Sequence, residues 1–390
     1  MIVRSFKYRI YPNSEQKVFF AKCFGCVRFF YNKSLDDMDE IYKTTGRFKN
    51  ITPASYKEDY AFLKEVDAQA LCNAQLNRNV AFKDYLKQKF INNKEKPNFK
   101  RKRNDQSYTT CMINGNIKIT PDNRHLSIPK CSNIRIKKHR DFVGKIKSVT
   151  ISMTTDNKYY ASIMVEEDDM PMKPVKKAIG LDLGIKDLII DSNGKKYKNQ
   201  KYFDKSLPKL AREQRKLSKM VKGSNNKNKQ RIKVARLYKK INNQKNDYLH
   251  KLSKSIIDEN QIICIEDLKV NDMRRNRKMV RNILDASWYR LATMLMYKAK
   301  WYGRIVVKIP YNYPSSQLCS CCNYQNKISK NLRIRKWTCP QCGIVHDRDK
   351  NAANNILRKG IEILTKDGTH PDSLFMLGSL ESSSKKPPLF

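Results

Sequence analysis

The chain has 390 residues and a formal net charge of +43, from 80 Lys and Arg against 37 Asp and Glu. This length predicts about two to four domains, and so large a positive charge predicts a polyanionic partner. A content of 40% hydrophobic and 10% aromatic residues argues against a wholly disordered protein. No apolar run approaches the roughly 20 residues of a membrane span, and the N-terminus lacks a signal-peptide pattern. We therefore expect a cytoplasmic protein that binds nucleic acid and no membrane.

The first part of the chain predicts a small β-domain with a helical insertion. Val3–Tyr11 alternates as a strand, and helical patterns follow over Ser14–Tyr31, Tyr56–Val66 and Ala68–Phe90. Strand alternation returns over Tyr108–Glu166. Because the two strand regions flank the helices, we expect them to fold together.

A basic loop and a cysteine pair interrupt these patterns. The loop Asn93–Arg103 is either a solvated linker or a contact for phosphates, and its composition favours neither. Cys23 and Cys26 form a CxxC without a matching pair nearby, so we expect both in the core. The chain has 11 cysteines, an odd number, and no secretory signal, which predicts reduced thiols.

The second part of the chain alternates strands with longer basic helices. In chain order the patterns predict a hairpin over Ala178–Asp191 that returns through Lys195–Tyr197, helices over Leu207–Asp258 broken near Gly223, a strand over Gln261–Glu266, a basic loop over Met273–Arg281, a helix near Ser287–Trp301 and a strand near Arg304–Ile309.

Three acidic residues stand where strands end and a helix begins. Asp182 lies in the apolar strand Ile179–Gly184, and Glu266 ends another apolar strand. Asp349 opens a later helical pattern and is preferred to Asp347, because aspartate at that earlier position suits a helix cap. Carboxylates are the hard ligands that Mg²⁺ prefers, and two such ions stabilise the attacking and leaving oxygens of a phosphodiester. Together these acids predict an RNase H-like nuclease centre with two Mg²⁺ ions.

A zinc ribbon is the strongest local signal. Cys319-x-x-Cys322 and Cys339-x-x-Cys342 are separated by sixteen residues, a spacing typical of four-cysteine zinc sites. Four thiolates close the tetrahedral coordination of Zn²⁺ and leave no position for chemistry, so we expect a structural ion.

Two neighbouring residues leave some ambiguity in the ligand set. Cys321 could replace an adjacent cysteine, although Cys322 keeps the x-x spacing and is preferred. His346 could be a ligand only by displacing one of the four cysteines.

Short motifs from the N-terminus to about Lys359 carry a family resemblance. They are Tyr8–Pro12 with Glu15 and Gln16, Gly25 with Arg28 and Tyr31-Asn32, Ile179–Gly184, Leu249–Ser253, Ile265–Leu268, Trp301–Arg304, Ser315–Gln317 and Asp347–Asp349 with Asn351–Ala353. Together they resemble TnpB, the OrfB-type protein family of bacterial insertion sequences, which is related to the compact type V CRISPR nucleases. Two residues depart slightly from the family pattern. Asn323 stands where a glycine commonly follows the cysteine knuckle, and Cys321 is an additional cysteine.

The resemblance implies an α+β multidomain fold. Its expected parts are a β-barrel wedge domain at residues 1–11 and 108–170, a helical recognition domain at 12–107, an RNase H-like (RuvC) α/β nuclease domain at 177–311 and 346–360, an inserted zinc ribbon that binds target nucleic acid at 312–345, and a flexible tail at 361–390.

The resemblance also implies an RNA-guided DNA endonuclease. A guide RNA encoded by the transposon would pair with double-stranded target DNA beside a short adjacent motif. The matching catalytic positions are Asp182, Glu266 and Asp349, with Mg²⁺ as their cofactor. A monomer per RNA is favoured, in the bacterial cytoplasm and on the nucleoid when bound to DNA.

Two alternatives come from different classes of protein. A nuclease-inactive, RNA-guided DNA-binding regulator would keep the charge but would not require three acids. A transposase that performs strand transfer could share the acids, but a zinc ribbon directly before the third acid argues against it.

Overall fold

The described part of the chain forms two compact units. The computed structural model describes residues 1–92, 95–169, 171–268, 280–331 and 334–368. The first unit comprises Met1–Asp168 together with the short segment Arg231–Ala235, and the second begins at Asp169.

The first unit consists of two long helices and seven strands. Its elements are β1 (Ile2–Tyr11), α1 (Ser14–Thr45), two 3₁₀ turns (Pro53–Tyr56 and Ala61–Lys64), α2 (Ala68–Asn92), β2 (Gln106–Cys111), β3 (Lys118–Ile119), β4 (His125–Ile128), β5 (Cys131–Lys137), β6 (Lys145–Met153) and β7 (Tyr159–Glu167).

All seven strands form one antiparallel sheet in the order β2-β6-β7-β1-β5-β4-β3. Tyr108 near one edge, Leu126 near the other and Tyr8 in the middle belong to a single hydrophobic core, which also includes Phe20 and Phe24 of α1. A flat sheet could not bring both edges to one core, so this sheet is curled. The strands on either side of the helices therefore fold together, as the sequence predicts.

The segment after α1 differs from its predicted form. The helix expected over Tyr56–Val66 is wrong, because two short 3₁₀ turns occupy this region. Tyr60 packs edge-on against Phe29 of α1 at 4.7 Å between ring centroids. A helix of so few residues is marginal by itself, so aromatic packing against α1 determines the local structure.

The basic loop before β2 is attached to α1. Asn32 donates to the Lys100 carbonyl at 3.0 Å and accepts from the Lys100 amide at 2.8 Å, and Lys96 pairs with Asp39 at 2.6 Å. These contacts contradict a freely solvated linker, whereas a phosphate-binding role stays a prediction. The CxxC cysteines, Cys23 and Cys26, are buried free thiols, as expected.

The described residues of the second unit form a mixed sheet, five helices and a small hairpin. Its elements are β8 (Ala178–Leu183), β9 (Asp187–Asp191), β10 (Lys196–Lys198), α3 (Tyr202–Lys219), α4 (Asn225–Glu259), β11 (Ile262–Glu266), α5 (Val280–Ala286), α6 (Trp288–Tyr302), β12 (Ile305–Ile309), a 3₁₀ turn (Lys327–Lys330), β13 (Lys336–Thr338), β14 (Val345–Asp347) and α7 (Arg348–Lys366).

The larger sheet has the order β10-β9-β8-β11-β12. β9 runs antiparallel to both of its neighbours, whereas β8, β11 and β12 are parallel to one another. Ile179 and Leu181 of β8 pack into a core with side chains of α4 and α6. Since side chains of a strand alternate between faces, Gly180 and Asp182 are directed to the opposite face.

Helix α7 covers that opposite face at very short range. A Cβ atom placed on Gly180 would lie 2.1 Å from the Ala353 carbonyl oxygen, and one placed on Gly360 would lie 2.2 Å from the Cys264 sulfur. Real Cβ contacts are never this short, so glycine at both positions is what permits the helix to lie on β8 and β11. This packing fixes where α7 begins.

The end of α7 corrects the predicted tail. The boundary at residue 361 is wrong, because α7 continues to Lys366 and Ile361 and Leu364 pack beside β11 and β12. The remainder of the predicted tail from residue 369 lies outside the described residues, as does most of the basic loop predicted over Met273–Arg281. Among the described helices, none combines the length and the apolar character that crossing a bilayer requires.

Candidate functional site

The larger sheet places two of the predicted acids side by side. Asp182 is the fifth residue of β8, and Glu266 is the last residue of β11. The parallel register pairs Ile265 with Leu181, so Glu266 and Asp182 follow one step later on adjacent strands, roughly 4.8 Å apart. Both belong to the face that α7 covers.

Helix α7 brings the third acid to the same place. Asp349 is the second residue of α7, and Asp347 immediately before the helix is its N-cap. The Asp347 carboxylate accepts from the amides of Asp349 and Lys350, each at 3.1 Å. Because these bonds occupy an oxygen of Asp347, the structure favours Asp349 as the residue that faces the other two acids.

The three acids line one open cleft of about 610 Å³. Its wall also contains five basic side chains, namely Lys186, Lys196, Lys201, Arg335 and Arg348. Carboxylates and cations that line one cleft suit divalent ions together with an anionic substrate.

The turn after β8 lines the cleft beside Asp182 and is tightly constrained. A Cβ atom on Gly184 would lie 2.6 Å from the Asp187 carbonyl oxygen, so the turn after β8 requires glycine. The indole nitrogen of Trp288 donates to the Gly184 carbonyl at 3.2 Å and fixes the same turn from α6.

The electrostatics of the acids fit a metal site. Burial, and then the charges of Glu266 and Asp349, raise the pKa of Asp182 to about 8. Burial also raises the pKa of Glu266, against the opposing effect of its hydrogen bond from Ser315. Such crowding of acids is costly unless cations meet them.

The three acids are spaced more widely than the ligands of a compact metal cluster. Their oxygen atoms do not all lie within 4.8 Å of one another, in contrast to the cysteine cluster below. Carboxylate oxygens are the hard ligands that divalent cations such as Mg²⁺ prefer.

Two residues of this site were not predicted as site residues. Arg335 donates to both carboxylate oxygens of Asp349, at 3.2 and 3.1 Å, and Ser315 donates to Glu266 at 2.6 Å. Ser315 belongs to a motif that carries the family resemblance, which is the one signal that could have found it. Nothing in the sequence separates Arg335 from the other 79 lysines and arginines.

The four predicted cysteines form one cluster. The sulfur atoms of Cys319, Cys322, Cys339 and Cys342 all lie within 4.8 Å of one another. The Cys319–Cys342 and Cys322–Cys339 pairs are 3.6 and 3.5 Å apart. Zn–S bonds of about 2.3 Å in a tetrahedron separate sulfurs by roughly 3.8 Å, so this cluster can hold a zinc ion.

The two neighbouring donors have different positions in the ribbon. His346 is buried, packs against Trp337 with the two rings tilted, and lies 3.0 Å from the Cys319 sulfur through Nε2. Cys319, Cys321 and His346 form a second, overlapping group. Cys321 belongs to this three-donor group and not to the group of four thiols, so the set with Cys322 remains the preferred one.

Zinc content tests this preference. We expect the Cys322→Ser variant to lose most of about one bound zinc per chain, because a structural site with three thiolates is no longer closed. The Cys321→Ser variant is the matched control and should retain zinc. Elemental analysis after gel filtration measures both, and equal losses would show that both cysteines serve as ligands.

Three family models match the chain. Residues 162–277 match the OrfB model described as "Probable transposase", residues 288–356 match the "Cas12f1-like, TNB domain", and residues 1–47 match a "Helix-turn-helix domain". In the structure, residues 1–47 contain one strand and the single long helix α1 instead of two helices joined by a turn.

Full-length relatives extend the similarity over nearly the whole chain. A Streptomyces pristinaespiralis protein named "Putative RNA-guided DNA endonuclease" is 35% identical over 374 residues, which are 92% of this chain and 90% of the relative. InsQ of Escherichia coli K12, with the same description, is 29% identical over 391 residues, 93% of each chain.

A solved structure shares the fold. A chain of the "Cryo-EM structure of the Cas12f1-sgRNA-target DNA complex" superposes with a TM-score of 0.54 at 14% identity, covering 91% of this chain and 98% of that one. The curled sheet, the mixed sheet and the cysteine cluster thus belong to an α+β fold of the Cas12f1 type. The identity to the Streptomyces relative goes further, and the chain belongs to the TnpB (OrfB) family.

Proposed function

We propose that this protein is an RNA-guided DNA endonuclease of a bacterial transposon. It holds a guide RNA encoded by the element and cleaves double-stranded DNA next to a short adjacent motif. The observation that carries the proposal is the meeting of Asp182, Glu266 and Asp349, from three distant segments, in one cleft lined with cations.

The domain roles follow from the two units. The curled sheet and the helices α1 and α2 would be the β-barrel wedge domain with its recognition insertion. The mixed sheet has three successive antiparallel strands followed by two parallel ones, which supports an RNase H-like (RuvC) nuclease domain. The ribbon between β12 and α7 would bind target nucleic acid, and one protein would act per RNA in the cytoplasm.

In the proposed reaction the side chains of the cleft bind metal ions and DNA, and none of them acts as the nucleophile. Two divalent cations, when bound, would stabilise charge on the attacking and leaving oxygens of the phosphodiester. Asp182, Glu266 and Asp349 would hold them, with Ser315 orienting Glu266. The lysines of the cleft would hold the DNA backbone, since phosphate contacts position a strand without reading its sequence.

The charge of the chain agrees with guided recognition. A net charge of +43 attracts any long nucleic acid. Specificity would come from pairing between guide RNA and target, while the protein reads the short adjacent motif. Strong backbone attraction and sequence selectivity are therefore compatible.

Sequencing of the RNA that co-purifies with the protein tests this function first. We expect one dominant RNA that ends in a variable guide segment and directs Mg²⁺-dependent cleavage of matching DNA. Guided binding without cleavage under any divalent metal would favour the inactive regulator. Joining of donor ends without RNA would favour a transposase, and heterogeneous RNA removed by salt would contradict guidance.

Arg335 supplies a further test within the cleft. The Arg335→Ala variant should cleave about 10²-fold more slowly, because it removes a preorganised cation from the cleft that would hold the reacting phosphate. Arg335→Lys should recover part of the rate, since lysine restores charge without the planar fork. Lys336→Ala, at the adjacent exposed position, is the control. Single-turnover cleavage rates of the three variants test this role. Full activity of Arg335→Ala would show that Arg335 does not contribute to cleavage.

A further inference from the structure

The segment between β12 and the first zinc ligand is tied to the nuclease centre. Ser315 is buried, and its hydroxyl donates to the Glu266 carboxylate at 2.6 Å. Five residues after Ser315, Ser320 directly follows the zinc ligand Cys319. Residues 315–320, here named the connecting segment, thus touch an acid at one end and contain a cysteine ligand at the other.

Two asparagines of α7 hold this connecting segment by its backbone. Asn355 donates through Nδ2 to the carbonyl oxygens of Ser315 at 2.8 Å and Leu318 at 2.7 Å. Asn351 donates to the Leu318 carbonyl at 2.7 Å and accepts from the Ser320 amide at 2.9 Å. The connecting segment is therefore fixed along its length by one helix.

Both asparagines are themselves immobilised. Asn355 is fully buried and Asn351 is 2% exposed. The Asn355 oxygen accepts from Arg358 at 2.9 Å, so all the polar atoms of this amide have partners. An amide so completely satisfied has one orientation, and its loss would remove the donor to the Ser315 carbonyl and one of the two asparagine donors to the Leu318 carbonyl.

The same helix carries the third acid. Asp349 lies two residues before Asn351 on α7. A displacement of the connecting segment would therefore affect Glu266 through Ser315, and a displacement of α7 would move Asp349 and the connecting segment together. Helix α7 thus holds both the connecting segment that leads into the zinc ribbon and one acid of the cleft.

We propose that Asn351, Asn355 and Ser315 are positioning residues that couple zinc binding in the ribbon to divalent-metal binding at the acids. Zinc bound to Cys319 holds one end of the connecting segment, the asparagines hold its backbone, and Ser315 orients Glu266. This inference rests on the proposed function, because it assigns divalent ions to the acids. Partners that orient metal ligands typically change metal affinity 10–100-fold, roughly, when they are removed.

Metal binding to the full-length protein tests the coupling without any cleavage assay. Mn²⁺ affinity is measured by electron paramagnetic resonance, and zinc retention by its release to a chromogenic chelator. Ser315→Ala should weaken Mn²⁺ binding about 10-fold or more and leave zinc retention unchanged. Asn355→Leu should weaken Mn²⁺ binding by a similar factor and also release zinc faster.

Asn354→Leu is the matched control, since Asn354 is the half-buried neighbour of Asn355 on the same helix. It should change neither metal. Thermal melting and co-purified RNA show whether each variant folds, and Ser315→Ala keeps the test valid should Asn355→Leu fail to fold.

Removal of zinc from the native protein completes the test. Coupling requires that zinc removal weaken Mn²⁺ binding, and that this effect shrink in Ser315→Ala. Unchanged Mn²⁺ affinity after zinc removal, or zinc loss in Asn355→Leu with native Mn²⁺ affinity, would overturn the coupling and leave the proposed nuclease intact. Mn²⁺ binding that survives Asp182→Ala unchanged would instead contradict the acidic metal site itself.

Discussion

Replacement of Asp182 by alanine is expected to slow guided DNA cleavage by at least about 10³-fold, because metal ions at a phosphodiester contribute several kcal/mol to transition-state stabilisation. Asp182 occupies the central strand between Glu266 and Asp349 and is the one acid whose pKa both of the others raise. No other described carboxylate of the cleft has that position. RNA-directed DNA binding should persist, since the phosphate contacts and the guide are unaffected.

The same substitution should not destabilise the fold in the absence of divalent ions. The pKa of Asp182 is raised to about 8 by burial and by neighbouring charge. At pH values above the ordinary pKa of an aspartate, the ionisation of this group therefore opposes folding. This cost is absent at low pH, where the group is protonated, and grows as the pH rises towards 8. Alanine removes it, and we expect an equal or higher melting temperature at neutral pH without Mg²⁺.

A surface acid provides the control for Asp182. Asp247→Ala removes an exposed carboxylate of α4 that pairs with Lys251, and such pairs contribute little to stability. This variant should cleave at the native rate. The assay compares single-turnover cleavage with gel-shift binding of the same guided complex. Loss of binding in Asp182→Ala, or retained cleavage, would contradict the assigned role.

Sequence patterns predicted the parts of the site that depend on local spacing. The family prediction is confirmed by the relatives. The strands that carry Asp182 and Glu266 were predictable because each is a short apolar run with an acid at or near its end. The four cysteines were predictable because two CxxC pairs leave few alternatives for tetrahedral coordination. The catalytic role of the acids stays a prediction.

Contacts between distant segments were not predictable from spacing. Arg335 meets Asp349 because β13 and β14 pair, and Ser315 meets Glu266 because the connecting segment lies on α7. No pattern of neighbouring residues in the sequence predicts either contact. The helix wrongly expected over residues 56–66 fails for a similar reason, since aromatic contacts with α1 outweigh a weak local preference.

The close packing of α7 on the sheet leads to the largest expected effect on stability. Alanine at Gly180 would place Cβ 2.1 Å from the Ala353 carbonyl oxygen and 2.7 Å from the Leu357 amide nitrogen. Both atoms belong to the helix backbone, so no side-chain rotation can relieve the contact. We expect Gly180→Ala to lower the free energy of unfolding by about 3 kcal/mol, at the upper end of what overpacking costs.

Gly25→Ala is the control for this substitution. Gly25 lies within α1, where an added Cβ meets nothing within 4 Å, so alanine should be neutral or stabilising by up to about 1 kcal/mol. Calorimetry of the two variants in parallel separates a steric effect from a general effect of replacing glycine. Equal melting temperatures would show that α7 does not lie as close to β8 as the structure places it.

Gly180→Ala should also reduce cleavage more than its lost stability explains. To relieve the contact, α7 must move away from β8, and that movement carries Asp349 away from Asp182 and Glu266. Small displacements of metal ligands reduce the rate strongly, because catalysis depends on positions held within about 0.5 Å. We therefore expect slow cleavage at temperatures where the variant is still folded, with RNA binding retained. Native cleavage by the folded variant would mean that the position of α7 on the sheet does not determine the geometry of the acids.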